Sequence, residues 1–239
     1  MSEDSKLFEV RFQPASDHSL LLYFGDSISL TTHQRIARFL KQLSGNPIAG
    51  VVNLQPAYTS VLIKFDLRIT THEAVESAVR EWLRHIEDMK LPAPTLCEIP
   101  VCYGGEFGPD LQEVAELHGL APDEAVKLHS KATYTVYFLG FVPGFAYLGG
   151  LPEQLATPRL ATPRKSVPAG SVAIGGSQTG VYPSSTPGGW RIIGRTPLRL
   201  FDPASAAAHA SFFELGDEVR FKPISSEQFA RMAPQSQSK

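Results

Sequence analysis

The sequence predicts an α+β N-terminal domain followed by a mainly β barrel domain, on three observations. Apolar runs of strand length alternate with amphipathic helical ones over the first ninety residues. The segment Lys90-Leu91-Pro92-Ala93-Pro94-Thr95 then interrupts them, its two prolines stiffening the chain and removing backbone donors. Beyond Lys131 the apolar pieces are short, rich in β-formers and separated by Gly and Pro. A chain of 239 residues is long enough for one or two domains with a sizeable core, and the boundary gives domains at 1–90 and 96–239.

In the first domain Leu20-Leu21-Leu22-Tyr23-Phe24 reads as a buried strand closed by Gly25-Asp26. Thr31 and Thr32 can cap a helix whose Ile36, Phe39, Leu40 and Leu43 share a face, and Ser44-Gly45-Asn46-Pro47 stops it. Two strands follow, Gly50 to Leu54 and Ser60 to Asp66, around the turn Gln55-Pro56-Ala57-Tyr58. Thr71 opens a second helix with Val75, Ala78, Val79, Trp82, Leu83 and Ile86 on one side, so both helices are expected on one face of a sheet. In the second domain a strand over Cys97 to Tyr103 precedes two short helices, Asp110 to His118 and Pro122 to His129, the latter with proline where a missing N–H is harmless. Tyr134-Thr135-Val136-Tyr137-Phe138-Leu139 is the clearest strand of the barrel. No period of 20–50 residues recurs, which argues against a solenoid or propeller.

Hydrophobic residues at 43% and charged residues at 19% set intrinsic disorder aside. With 22 basic against 24 acidic residues, the net charge of −2 gives no global basis for coating nucleic acid or an anionic membrane. The start, Met1-Ser2-Glu3-Asp4-Ser5-Lys6, carries acids where a secretory signal carries basic residues, so a cytoplasmic location is expected. The most apolar run, Val136 to Leu151, is broken by five Gly or Pro residues and is too short to span a bilayer. Cys97 and Cys102 fit neither CxxC redox nor zinc spacing and read as a reduced, structural pair.

The net charge conceals a division. From Gln154 to Phe201, a stretch of 48 residues, there is no Asp or Glu, but there are Arg159, Arg164, Lys165, Arg191, Arg195 and Arg199. The segment is +6, and the other 191 residues, with 16 basic and 24 acidic side chains, are −8. Seven of the 19 glycines also fall here, and Ala156-Thr157-Pro158-Arg159 is echoed by Ala161-Thr162-Pro163-Arg164. Glycine allows close backbone approach and N–H nests, and arginine offers a fork suited to phosphate or carboxylate. Any single arginine is more often a structural ion pair, but the segment as a whole points to an anion site.

Other chemistries fit poorly. There is no GxxxxGK[ST] phosphate loop, and Gly175-Gly176-Ser177-Gln178-Thr179-Gly180 departs from the GxSxG elbow at Thr179. The seven histidines, His18, His33, His72, His85, His118, His129 and His209, form no local metal pair and are expected to be surface or core residues, His129 among the core. The run Phe141-Val142-Pro143-Gly144-Phe145-Ala146-Tyr147-Leu148-Gly149-Gly150 reads as a rigid loop presenting aromatic rings, either as a pocket wall or as a hydrophobic plug at a barrel end.

Leu139 to Gly150, then Thr162-Pro163-Arg164, Val167-Pro168-Ala169-Gly170-Ser171-Val172, Gln178-Thr179-Gly180-Val181-Tyr182-Pro183, Pro187-Gly188-Gly189-Trp190 and Ile193-Gly194-Arg195-Thr196-Pro197 form an ordered series that resembles the B subunit of the bacterial ATP-dependent 5-oxoprolinase. The family is also labelled allophanate hydrolase subunit 1 and includes a sporulation-kinase inhibitor. Ile99 to Gly105, Gly108 to Leu111, Leu128-His129-Ser130 and Pro56 to Ser60 extend the likeness over most of the chain. Val142 stands where the family often has Ala, and Ser16-Asp17-His18-Ser19 replaces a commoner Gly-Asp-x-Ala. The resemblance implies a cyclophilin-like β-barrel for the second domain. It further implies a complex with the C and A subunits of that enzyme, and ATP-driven opening of 5-oxoproline to glutamate.

Phosphorylating the lactam oxygen would make it a leaving group, a task of positioning and charge neutralisation. On this reading Arg159, Arg164 and Arg195 hold phosphate or the substrate carboxylate, with Gly175, Gly176 and Gly180 as a backbone cradle. Gln178 and Thr179 orient the lactam by neutral hydrogen bonds, and Phe141, Tyr147 and Tyr182 wall the pocket. ATP is then a co-substrate, and Mg²⁺ needs carboxylates that the segment lacks, so Asp110, Glu106 or Asp202, or else the partner subunit, must supply them. A site completed only by the C subunit is expected, and the chain alone should hydrolyse no ATP. Two other readings remain: a regulator docking a histidine kinase, and an amidase acting on allophanate, for which no Ser nucleophile with a neighbouring Lys pattern is visible.

Overall fold

The computed structural model describes residues 9–205 and 210–232, so the acidic start at Met1 to Lys6 and His209 lie outside the described residues. The chain divides into two compact units, Met1–Ala93 and Pro94–Lys239.

The first unit is an antiparallel four-stranded sheet with two helices. Strands β1 (Arg11–Ser16), β2 (Ser19–Tyr23), β3 (Val51–Pro56) and β4 (Ser60–Phe65) lie in the order β1-β2-β4-β3. Strand β1 was not anticipated. Its Pro14 lacks an N–H, which suits only an edge, and β1 is an edge strand. Helix α1 (Leu30–Gly45) starts one cap earlier than expected: Ser29, not Thr31 or Thr32, is the N-cap, its Oγ accepting the Thr32 N–H at 3.1 Å. Helix α2 (His72–Leu83) is capped by Thr71, whose Oγ1 accepts the Ala74 N–H at 3.3 Å. The period-2 pattern of the central strands turns Leu20, Leu22, Val61, Ile63 and Phe65 to one face, where they pack with Ile36, Phe39, Leu43, Val75 and Val79. Each such fully buried side chain contributes about 1.5–3 kcal/mol. Both helices therefore cover the same face of the sheet.

The second unit is built on a closed barrel of seven strands. These are β5 (Leu96–Tyr103), β6 (Tyr134–Leu139), β7 (Ala146–Gly149), β9 (Ser171–Gly175), β10 (Gln178–Val181), β12 (Arg191–Arg195) and β13 (Glu218–Pro223), closing in the order β10-β7-β6-β13-β5-β12-β9. Strands β8 (Arg164–Val167) and β11 (Thr186–Gly188) pair separately as a two-stranded sheet. Helices α3 (Leu111–Leu117) and α4 (Pro122–Lys131) fill the β5–β6 connection, and α5 (Ser226–Met232) follows β13. Alternation sends Ile99 and Val101, Tyr134 and Val136, Ala146 and Leu148, Val172 and Ile174, and Val219 and Phe221 into the core, joined there by Val114, Ala115 and Ala125 of the two helices. Cys97 and Cys102 are free thiols; Cys97 Sγ donates to Asp217 Oδ2 at 3.8 Å, and burial chiefly pushes its pKa up to about 11. No helix among the described residues is long and apolar enough to cross a membrane.

Candidate functional site

The side chains that alternate outward from the barrel form a second cluster. Phe145, Val167, Ala173, Tyr182, Trp190 and Ile192 pack together there, with Val142 and Tyr147 against them. Two glycines make the cluster possible. A Cβ on Gly175 would lie 2.5 Å from the Trp190 indole, and one on Gly180 would lie 3.0 Å from Phe145 and 3.2 Å from Trp190. The bare backbone of β9 and β10 thus lets aromatic rings lie against the strands. Phe145 meets Tyr147, Tyr182 and Trp190 at centroid distances of 4.9, 5.2 and 5.6 Å, all edge to face. Phe141 stands at the rim, 60% exposed, 5.6 Å from Phe145 and 6.4 Å from Tyr182.

Two of the predicted arginines converge on these rings. The exposed Arg159 places its guanidinium carbon 5.8 Å from the Trp190 ring. Burial pushes the Tyr147 and Tyr182 hydroxyls up in pKa, and the charge of Arg159 pulls both back down; Arg164 acts on Tyr182 in the same sense. Arg164 Nη2 donates to Asp110 Oδ1 at 2.6 Å, while Asp110 Oδ2 accepts the Ile192 N–H at 2.6 Å. Arg164 Nη1 is buried with no hydrogen-bond partner. Arg191 is held structurally, donating from Nε to Pro158 O at 3.2 Å and pairing with Glu113. Gln178 is half-buried and shares the outward parity of Gly180.

Other predicted residues sit elsewhere or are already committed. Thr179 faces inward and is fully buried. Its Oγ1 donates to Ala173 O at 3.0 Å and so accepts from His129 Nε2 at 3.1 Å. That leaves His129 Nδ1 to accept from Tyr103 OH at 2.8 Å. Thr179 therefore has no hydroxyl valence facing the outer cluster, because barrel closure turned alternate residues of β10 inward. His129 is a core residue, 0% exposed, stacked 4.6 Å from Phe221, and desolvation lowers its pKa to about 3. Arg195 lies 5.9 Å from Phe107 and pairs in register with Ser171 and Cys102, away from the Trp190 end of β12. Its Nε and Ser171 Oγ are buried without hydrogen-bond partners.

The expected glycine cradle takes a different form. Gly176 has φ +66 in the tight β9–β10 turn, but its N–H donates to Thr157 O at 2.8 Å and its carbonyl accepts the Thr157 N–H at 3.1 Å. Gly175 and Gly180 lie within paired strands and serve the rings instead. Two of the three carboxylates considered for Mg²⁺ are engaged, Asp110 as above and Asp202 with the Ala204 N–H, Ser205 and Arg199, while Glu106 is exposed. Among the described residues no three His, Cys, Asp or Glu side chains group as a metal site.

Sequence reasoning missed Trp190 as a site residue, and it named Asp110 only as a possible Mg²⁺ ligand, not as the partner of Arg164. The Gly175 and Gly180 pair, two outward positions without side chains, was the available signal for a large ring lying over them. Asp110 carried no local signal, being 54 residues from Arg164 and 82 from Ile192.

Residues 10–211 match the family model described as the carboxyltransferase domain, subdomain C and D. The chain is 40% identical to the 5-oxoprolinase B subunit of Bacillus subtilis, over 92% of this chain and 96% of that protein. It is 46% identical to the 5-oxoprolinase B subunit of Escherichia coli O157:H7, over 86% and 92% respectively. Among solved structures it is similar to TTHA0988, at TM-score 0.77 and 33% identity, covering 88% of this chain and spanning 40% of that one.

Proposed function

The chain belongs to the family of 5-oxoprolinase B subunits, and from that premise we propose that it is one component of an ATP-dependent 5-oxoprolinase, acting with the C and A subunits to open 5-oxoproline to glutamate. The location is the cytoplasm, the domains are 1–90 and 96–239, and the barrel is of the cyclophilin-like kind. The reaction site of this subunit is the outer aromatic face of the barrel.

One observation carries this reading: the exposed Arg159 guanidinium lies 5.8 Å from the Trp190 ring of a packed aromatic cluster. Positive charge beside a low-dielectric aromatic wall suits a small anion with a flat apolar body, which describes the lactam and its carboxylate. Arg159 is the exposed contact, and Arg164 is held in place by Asp110. Gln178, which shares the outward face of β10 with Gly180, has both donor and acceptor capacity for the ring amide. Phe141, Tyr147 and Tyr182 exclude water from the ring. Arg195 forms a separate positive point on β12 that suits phosphate.

In the reaction ATP, a co-substrate, donates its γ-phosphoryl group to the lactam oxygen and ADP departs. Water then adds at the activated carbon, the ring C–N bond breaks to leave the γ-acyl phosphate of glutamate with its amine freed, and a second water hydrolyses that acyl phosphate to glutamate and phosphate. The positive side chains of this subunit hold the negative charge that both steps gather. The donor set of this subunit does not fit Mg²⁺, since Asp110 and Asp202 are already satisfied and the exposed Glu106 is joined by no group of three candidate ligands among the described residues. The ligands of that ion then belong to phosphate and to a partner subunit.

The test is turnover of the reconstituted A, B and C subunits with Arg164→Ala in this chain. Loss of most 5-oxoproline-dependent ATP hydrolysis is expected, and unchanged turnover overturns the reading. The chain by itself should release no phosphate from ATP.

A further inference from the structure

The loop between β6 and β7 is tied by three backbone bonds. Gly140 N–H donates to Phe145 O at 3.1 Å, Phe145 N–H to Val142 O at 3.1 Å, and Val142 N–H to Gly140 O at 2.8 Å. The last spans only three residues and is centred on Phe141, whose φ is 67°. Three-residue turns of this hand are rare and strained, and a bulky side chain in that region is an outlier. Among the described residues Phe141 is the only non-glycine residue with positive φ. Glycine would take this conformation without strain.

Burial does not offset that strain, because the ring stays 60% exposed. Its contacts with Phe145 and Tyr182 are nearly perpendicular, at 81° and 87°, so neither neighbour stacks on it. The tied loop therefore holds an open aromatic ring at the edge of the cluster on which Arg159 and Arg164 act. Strain of this kind gathers where structure serves binding.

We propose that Phe141 is a stacking platform for a flat π group attached to an anion, which lies on its open face with the charge toward Arg159 and Arg164. Two molecules of the reaction share that chemistry: the amide plane of the lactam with its carboxylate, and the base of the nucleotide with its phosphates. This inference rests on the proposed site and adds to it the residue that recognises the ring.

The experiment uses the reconstituted A, B and C complex and measures KM for 5-oxoproline and for ATP separately. Phe141→Ala raises one of the two by roughly tenfold, the scale of a lost aromatic stacking contact, with kcat within about twofold. Phe141→Tyr, which keeps the π face, restores it. A rise for 5-oxoproline assigns the lactam, and a rise for ATP assigns the nucleotide. Phe141→Gly shares the KM defect, yet the chain carrying it melts about 2–4 °C above Phe141→Ala, because the two differ only in backbone strain. The proposal is overturned if both KM values stay unchanged, if kcat alone falls, or if the sole defect is weaker association with the C subunit. Should Arg164→Ala and Arg159→Ala also leave turnover intact, the site itself is misassigned; if they impair it and Phe141→Ala does not, only the stacking role fails.

Discussion

Asp110 accepts from Arg164 at 2.6 Å with one carboxylate oxygen and from the Ile192 amide at 2.6 Å with the other, and is only 6% exposed. One carboxylate thus joins the N-terminus of α3, the two-stranded β8–β11 sheet and the barrel strand β12. It is also the acid that answers the acid-free segment's Arg164, and it comes from the same chain.

Replacing it tests both roles. Asp110→Asn keeps an acceptor for Ile192 but leaves Arg164 without its charge partner in a mostly buried setting. A loss of about 1.5–3 kcal/mol is expected, typical of a hydrogen bond to a charged group, and urea unfolding reads it directly. In the reconstituted enzyme the same variant should raise KM for 5-oxoproline, since Arg164 is no longer held.

His129 predicts a pH dependence of stability. Its pKa is about 3 when folded, below the ordinary value of 6.5, so the unfolded chain binds the proton more readily. The stability it contributes is complete above about pH 6.5 and is lost as pH falls toward 3, by up to about 1.4 kcal/mol per pH unit. His129→Gln should flatten the decline of the urea midpoint between pH 7 and 4.5. An identical slope in both proteins contradicts the buried neutral imidazole.

The neighbouring glycines should respond differently. Gly175→Ala drives a methyl group into Trp190, which is 2.5 Å from the Cβ position, and should cost about 1–3 kcal/mol with a shift in Trp emission. Gly176→Ala meets no atom within 4 Å and should cost about 1–2 kcal/mol through its positive φ alone, with emission unchanged.

Both cysteines have thiols raised in pKa by burial, Cys97 to about 11. Neither should react appreciably with an alkylating reagent at pH 8 in the folded chain. Both should react once the chain is unfolded in urea.

What a few adjacent residues can encode was legible. Helix faces, the cap at Thr71, the β-rich texture after Lys131 and the +6 segment can all be read along the chain without knowing which distant residues meet. Strand β1 escaped because Pro14 disguises an edge strand, and Ser29 caps the helix two residues before Thr31.

A +6 segment of arginines and glycines with aromatic residues beside it is legible along the chain, since composition and local spacing need no fold to be read. Which of those residues share a face depended on how distant strands pair. Closing the barrel set the register, and with it Thr179 turned inward to His129, 50 residues away, while Gly175 and Gly180 turned outward beneath Trp190. The same closure brought Asp110 to Arg164 and Ile192. Side-chain period in a strand is two, so one step of register exchanges inside for outside, and that choice is made by long-range pairing.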